Sequence, residues 1–301
     1  MATDLDRQLD GIPALAGQDR EITALPGGLT NRNYRVRTAA HDVVVRISPA
    51  SSGLLAIDRD QEMRNTRAAA RAGVGPGVVD HRRGEGILVV EFIPDALTYD
   101  DALVGANLAR VAAAVRTLHR GPGFVGRFDM FAIQRRYEAV MREHGWRMPE
   151  GYAALAPLAA RMAAALGAHP EPLVPCHNDL LAANFLDTGD RIWIIDYEYS
   201  GMNEASFELG NLIQEAHLGP DDLTELVSAY VGREDPVATA RAAVWGIVSA
   251  YAWTLWGTIQ AGLGDIDYDF WSWAMDKFER ARAAMTAPGF GRLLDTVGEG
   301  R

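Results

Sequence analysis

The chain has 301 residues, of which 48% are apolar and 23% charged, and its 29 basic residues against 40 acidic ones leave a net charge of −11. This is ordinary for a globular protein of one large domain or two lobes, and the acidity argues against a nucleic-acid-binding surface, which needs a basic stripe to neutralise phosphates. It does not exclude a cationic small substrate, and mildly favours one.

The opening MATDLDRQLD is charged from its fourth residue and lacks the apolar core of a signal peptide, so the cytoplasm is the expected compartment. Short runs rich in β-formers follow at 21–25, 33–38 and 42–48, with Pro-Gly-Gly at 26–28 punctuating the first two. A charge-laced helical pattern covers 58–72 and stops at Gly73. Strand character resumes at 78–81 and 86–92 across a turn at Gly84. After Ile93-Pro94 the composition changes. Alanine-rich helical patterns cover 102–120, 130–144, 151–168, 204–217, 221–231, 236–262 and 268–287. Only two strands are expected in this half, 184–186 and 191–195, joined by the hairpin-type connection Asp187-Thr-Gly-Asp190. The chain therefore reads as α+β, with a small β-rich lobe over 1–93, a larger helical lobe over 94–301, and a hinge at Pro94. Residues 242–264 carry no charge and are long enough for a membrane span. Ser249, Tyr251, Thr254, Thr258 and Gln260 within them favour a helix buried inside the lobe.

The stretch from His177 to Glu198 concentrates the chemistry. His177-Asn-Asp179 precedes Asn184; an apolar run then leads to Asp196-Tyr-Glu198. Loops flanking a short hairpin would carry these polar side chains to one edge. Phosphoryl transfer needs such a set: a carboxylate for the attacking hydroxyl, and oxygen ligands for a Mg²⁺ ion that bridges phosphates. Turn-building accounts for any one Asp or Asn, but hardly for HxDxxxxN, a strand and DxE together. The seven histidines lack a zinc-type spacing, and the single cysteine, Cys176, reads as a small buried thiol. Trp253 and Trp256 share a helix face, with Trp245 close to it, and Phe270 and Trp273 repeat the spacing. Such stripes are usually core, yet a quaternary ammonium also relies on aromatic faces.

HNDLLAAN followed by IIDYE resembles the catalytic segment of the protein-kinase-like small-molecule kinases, which include aminoglycoside phosphotransferases and choline kinases. IIDYEYSGMNEASFELGN, TLWGTIQA and DIDYDFWSWAMDKFERA are similar, in the same order, to the choline/ethanolamine kinase family. The N-terminal likeness is looser and rests on LPGGLTNRNYRV, VVVRI, GVGPGVV and VVEFIP. The resemblance implies a two-lobed protein-kinase-like fold that uses ATP and Mg²⁺. It implies Asp179 as catalytic base or hydroxyl-orienting residue, Asn184 and Asp196 as Mg²⁺ ligands, and Glu198 near a second ion or the substrate. His177 would brace the loop. In the first lobe PGGLTN, with Thr30 and Asn31, would cover the phosphates, Arg46 would contact them and pair with Glu62, and Glu91 and Ile93 would meet the adenine. Trp253, Trp256 and Trp273 would form a choline cage facing Glu198, Tyr199 and Glu215, with Trp245 left in the core. Two departures stand out: Glu208 replaces the family's usual Asp in FELGN, and 202–206 is less aromatic. The implied activity is phosphorylation of choline to phosphocholine by a monomer or homodimer with no nucleic-acid partner and no membrane span. Ethanolamine, an aminoglycoside or another small alcohol is the alternative acceptor, and a catalytically silent ligand-binding relative is the alternative role.

Overall fold

Helix α1 (Asp4–Asp10) leads into a five-stranded antiparallel sheet of β1 (Glu21–Leu25), β2 (Arg32–Arg37), β3 (Asp42–Ile47), β4 (Val78–Arg82) and β5 (Ile87–Glu91), ordered β1-β2-β3-β5-β4. The structure is a computed structural model that describes residues 4–26, 30–264 and 266–300. Alternation turns Val36, Val43, Val45, Ile87 and Val89 to one face, where they close on Leu9, Ile12 and Leu15. Between β3 and β4 runs α2 (Arg59–Ala72). It begins where the Asp58 side chain accepts the Asp60 and Gln61 N–H groups, and ends at Gly73 with φ 81°.

The helical lobe opens with β6 (Leu97–Thr98), α3 (Asp101–Ala106), α4 (Leu108–His119), α5 (Met130–His144) and α6 (Ala156–Ala168). Four short strands follow: β7 (Leu173–Cys176), β8 (Phe185–Asp187), β9 (Ile192–Ile194) and β10 (Gly201–Glu204). Strand β8 pairs with β6 and β9, and β7 pairs with β10, all antiparallel. Then come α7 (Ala205–Glu215), α8 (Pro220–Val231), α9 (Pro236–Leu263), α10 (Phe270–Thr286) and α11 (Phe290–Glu299).

Two expectations need correction. The helix expected over 102–120 is two helices, broken at Asn107. Its side chain donates to the Leu103 carbonyl while its own carbonyl accepts the Arg110 and Val111 N–H groups, so one residue closes α3 and opens α4. This half also holds more than the two expected strands: β6, β7 and β10 join β8 and β9.

Uncharged residues 242–264 lie in α9, which is packed by α5, α6, α7, α8, α10 and α11 and is buried almost throughout. Among the described residues no helix is long and apolar enough to cross a membrane. Two glycines bring α7 against α9. A Cβ on Gly210 would stand 2.1 Å from the Ala242 carbonyl oxygen, and one on Gly246 2.9 Å from the Gly210 oxygen. Gly257 does the same for α10, since its Cβ would meet the Trp273 ring at 2.7 Å. The fold thus sets the loop between β7 and β8, the turn after β9, and the indoles of α9 and α10 around one space.

Candidate active site

The loop after β7 turns through Asn178, which adopts φ 69°, a left-handed conformation that asparagine tolerates. Its side chain donates to the carbonyls of Cys176 (3.2 Å) and Tyr199 (3.1 Å) and accepts from Asn203. Glu208 on α7 accepts the backbone N–H of His177 through Oε1 (3.0 Å) and that of Asn178 through Oε2 (3.3 Å). Burial pushes its carboxyl up, but His119, His177 and these amides outweigh that and hold it below the usual range. His177 accepts the Asp179 N–H on Nδ1 (3.3 Å), so Nε2 carries the hydrogen donated to the Ile195 carbonyl (2.8 Å). The imidazole therefore braces the Asp179 turn against the strand end that presents Asp196. Asn184 donates from Nδ2 to the Asp179 carbonyl (3.0 Å), and its amide oxygen has no protein partner among the described residues.

Asp179, Asn184, Asp196, Glu198 and Tyr199 line one cavity of about 370 Å³ together with Thr30, Glu215, Trp253, Trp256 and Trp273. Burial, with Glu215, Glu198 and Asp196 nearby, pushes the Asp179 carboxyl well above the ordinary range. Asp196, at φ 67°, is also raised, by burial and Glu198, against the pull of Arg46. Glu198 goes the other way. Burial opposes its charge, but Arg46, Arg59, Asn31 and Thr30 prevail and lower it.

Those partners come from the small lobe. Thr30 Oγ1 and Asn31 Nδ2 donate to the two Glu198 oxygens at 2.9 and 3.0 Å, and Arg59 Nη1 bridges Glu198 (3.0 Å) and Glu62 (2.9 Å). Arg46 pairs with Glu62 and with Asp196. Glu91 and Ile93 stand apart at the end of β5; among the described residues neither lines the cavity. Of the expected phosphate-covering loop, Gly27, Gly28 and Leu29 lie outside the described residues.

The far wall is aromatic. Trp256 meets Trp253 edge-on at 6.5 Å and Trp273 at 5.2 Å, while Tyr199 stands edge-on to Trp253 at 4.9 Å. Trp256 Nε1 donates to the Tyr199 hydroxyl (2.8 Å), which fixes both rings. Trp245, by contrast, donates to Glu204 in the core and does not line the cavity. Behind the aromatic wall Lys277 donates to both Glu215 oxygens at 2.7 Å, and its ammonium lies 4.4 Å from the centre of the Trp273 ring.

Several of these contacts escape sequence reading. Arg59 and Lys277 find their partners across 139 and 62 residues of chain. One signal was available for Lys277: it is the only lysine, all other basic side chains being arginine. Tyr99, Asp100 and Asp101 also line the cavity, from the stretch after β6. Spacing also gave no hint that His119, Cys176 and Glu208 would meet. Their ligand-type atoms lie within 4.8 Å of one another, buried beside the loop after β7. His119 Nδ1 is engaged by the Tyr230 hydroxyl and Glu208 by the loop amides, which ties the cluster to loop support.

Residues 21–245 match the phosphotransferase enzyme family, three quarters of the chain. A solved choline/ethanolamine kinase family protein from Mesorhizobium loti is 37% identical and superposes with a TM-score of 0.85 over 98% of each chain. The chain belongs to the choline/ethanolamine kinase family. Protein LicA of Haemophilus influenzae is 27% identical over 269 residues, spanning 85% of this chain and 77% of that protein. Ethanolamine kinase 1 of Mus musculus is 26% identical over 314 residues, 87% of this chain and 83% of that one. This choline/ethanolamine kinase family member has the two-lobed, protein-kinase-like α+β fold that its motifs implied.

Proposed function

We propose that the protein transfers the γ-phosphoryl group of ATP to the hydroxyl of choline, giving phosphocholine and ADP. The observation that carries this reading is the joining of Asp179 and three indoles in one cavity. A quaternary ammonium has no N–H to donate, so indole faces are its natural recognition surface. Caged there, the amino alcohol can extend its hydroxyl to Asp179. Asp179 accepts the hydroxyl proton as the new O–P bond forms and the bond to the β-phosphate bridging oxygen breaks. A carboxyl held above the ordinary range is a better proton acceptor in that step.

Asp196 and the free amide oxygen of Asn184 are the hard oxygen donors that magnesium favours, so these residues would hold the ion. When bound, it screens the phosphate charge. Arg46 is the cation closest to that site, and with the nucleotide present it can exchange Asp196 for phosphate oxygens, its planar fork suiting both. Thr30 and Asn31 border the phosphate-covering loop and Glu62 keeps Arg46 in position. Glu91 and Ile93, at the small lobe's boundary before 94–301, are assigned to the adenine. Glu198, held by Thr30, Asn31 and Arg59, serves as the tie between the lobes.

Ethanolamine is the second reading, supported by the likeness to an ethanolamine kinase. A primary ammonium would want free N–H acceptors beside the rings, and Glu215 is taken up by Lys277. Steady-state kinetics of Trp256→Ala test the cage. KM for choline should rise about tenfold or more while KM for ATP stays within about twofold. Equal rises in both would make Trp256 a core residue whose loss loosens the lobe.

A further inference from the structure

The only lysine in the chain is fully committed inside the protein. Lys277, 2% exposed, gives its ammonium to both oxygens of Glu215, which is 6% exposed and lines the cavity that Lys277 itself does not line. The same ammonium lies over the Trp273 ring, one of the cavity's indoles. Glu215 is therefore a carboxylate that lines the cavity with its charge already balanced from behind.

We infer that Lys277 is a specificity-determining residue: by neutralising Glu215 and backing Trp273, it makes the cavity select alkylated ammonium groups over ammonium groups that carry N–H donors. The inference rests on the amino-alcohol reading above. Two forces can hold an ammonium in such a cavity. A desolvated carboxylate rewards N–H donors most, through short charge-assisted hydrogen bonds. An aromatic face rewards any cation, methylated ones included. With Lys277 occupying both Glu215 oxygens, the first force is suppressed and the second remains. The other acidic groups at the cavity do not restore it. Glu198 is held by Thr30, Asn31 and Arg59, Asp196 by Arg46, and Asp101 by His217. Asp100 accepts the Leu103 N–H at the start of α3, and Asp179 is required at the hydroxyl end.

The test measures binding of tetramethylammonium and methylammonium by tryptophan fluorescence, since neither ion has a hydroxyl to be phosphorylated. Wild type should prefer tetramethylammonium. Lys277→Met, which leaves Glu215 unbalanced, should shift the affinity ratio about tenfold toward methylammonium. Lys277→Arg should keep the wild-type ratio, and the double variant Glu215→Gln/Lys277→Met should return close to it, because both charges are gone. Glu215→Gln alone leaves an unbalanced cation beside the rings and should weaken both ions about tenfold. An unchanged ratio in a folded Lys277→Met protein overturns the inference. So does a double variant shifted as far as the single one, or a Glu215→Gln protein that binds both ions as wild type does; this last arm decides the matter if Lys277→Met fails to fold. Turnover with choline and ethanolamine is recorded in parallel. Absence of turnover would defeat the kinase reading, while the ion-binding ratios judge the role of Lys277 independently.

Discussion

Asp179 concentrates the conflict between stability and function at the scale of one residue. It lines the cavity half-buried, its desolvation raises its proton affinity, and Glu215, Glu198 and Asp196 add negative charge around it, with Lys277 the opposing influence. The folded protein therefore holds the Asp179 proton more tightly than the unfolded chain does. The sign follows by linkage. Below the ordinary carboxylate value of 3.8 both states are protonated; from there up to the raised pKa only the unfolded chain ionises, so the folded state loses stability, and above the raised pKa that loss is complete. Asp179→Asn removes that penalty. Without nucleotide or metal, its melting temperature should exceed wild type's at neutral pH, and the gap should close as pH falls toward 3.8. The same variant should lose phosphoryl transfer. Calorimetry giving one constant difference across pH would contradict the buried-charge account. At this scale the sequence was most legible where residues are close in the chain: Asp179, Asn184, Asp196 and Glu198 sit within one stretch and share one cavity wall. It was least legible for Arg59 and Lys277, whose meaning depends on partners that only tertiary structure supplies.

Among the elements, the crossing of α7 and α9 carries the most weight. Helix α7 supplies Glu208 to the loop after β7 and Glu215 to the cavity, and α9 supplies Trp253 and Trp256. Their separation is set by Gly210 and Gly246, because a methyl at Gly210 would overlap the Ala242 carbonyl and the Gly246 amide. Backbone cannot yield as a flexible side chain does, so Gly210→Ala should cost about 3 kcal/mol of stability and lower the melting temperature by several degrees. A wild-type melting temperature would mean that the two helices can part without loss. Long helices such as α2, α5 and α10 are legible because their pattern repeats over several turns, and α9 because its uncharged run is far too long for a strand. Strands β7 and β10 are not: LVPC contains a proline, GMNE is polar, and each becomes a strand only by pairing with the other. Helix α11 is short and begins within Pro288-Gly-Phe-Gly, a stretch that reads as loop.

For the whole molecule, the decisive feature is the clasp between lobes: Glu198 of the helical lobe receives Thr30, Asn31 and Arg59 of the sheet lobe. In the proposed reading the clasp, made by residues that border the phosphate-covering loop, serves the nucleotide. Arg59→Ala should therefore raise KM for ATP about tenfold and leave KM for the amino alcohol within about twofold, measured at saturating co-substrate. A larger rise for the amino alcohol would transfer Glu198 and its partners to the acceptor site. The central claim, phosphoryl transfer to a caged quaternary ammonium alcohol, has a direct measurement. Wild-type protein is given Mg-ATP with choline and ethanolamine at equal concentration, and both phosphorylated products are quantified by mass spectrometry. Phosphocholine in clear excess is the predicted result, whereas phosphoethanolamine in excess, or neither product from protein that binds ATP, would contradict it.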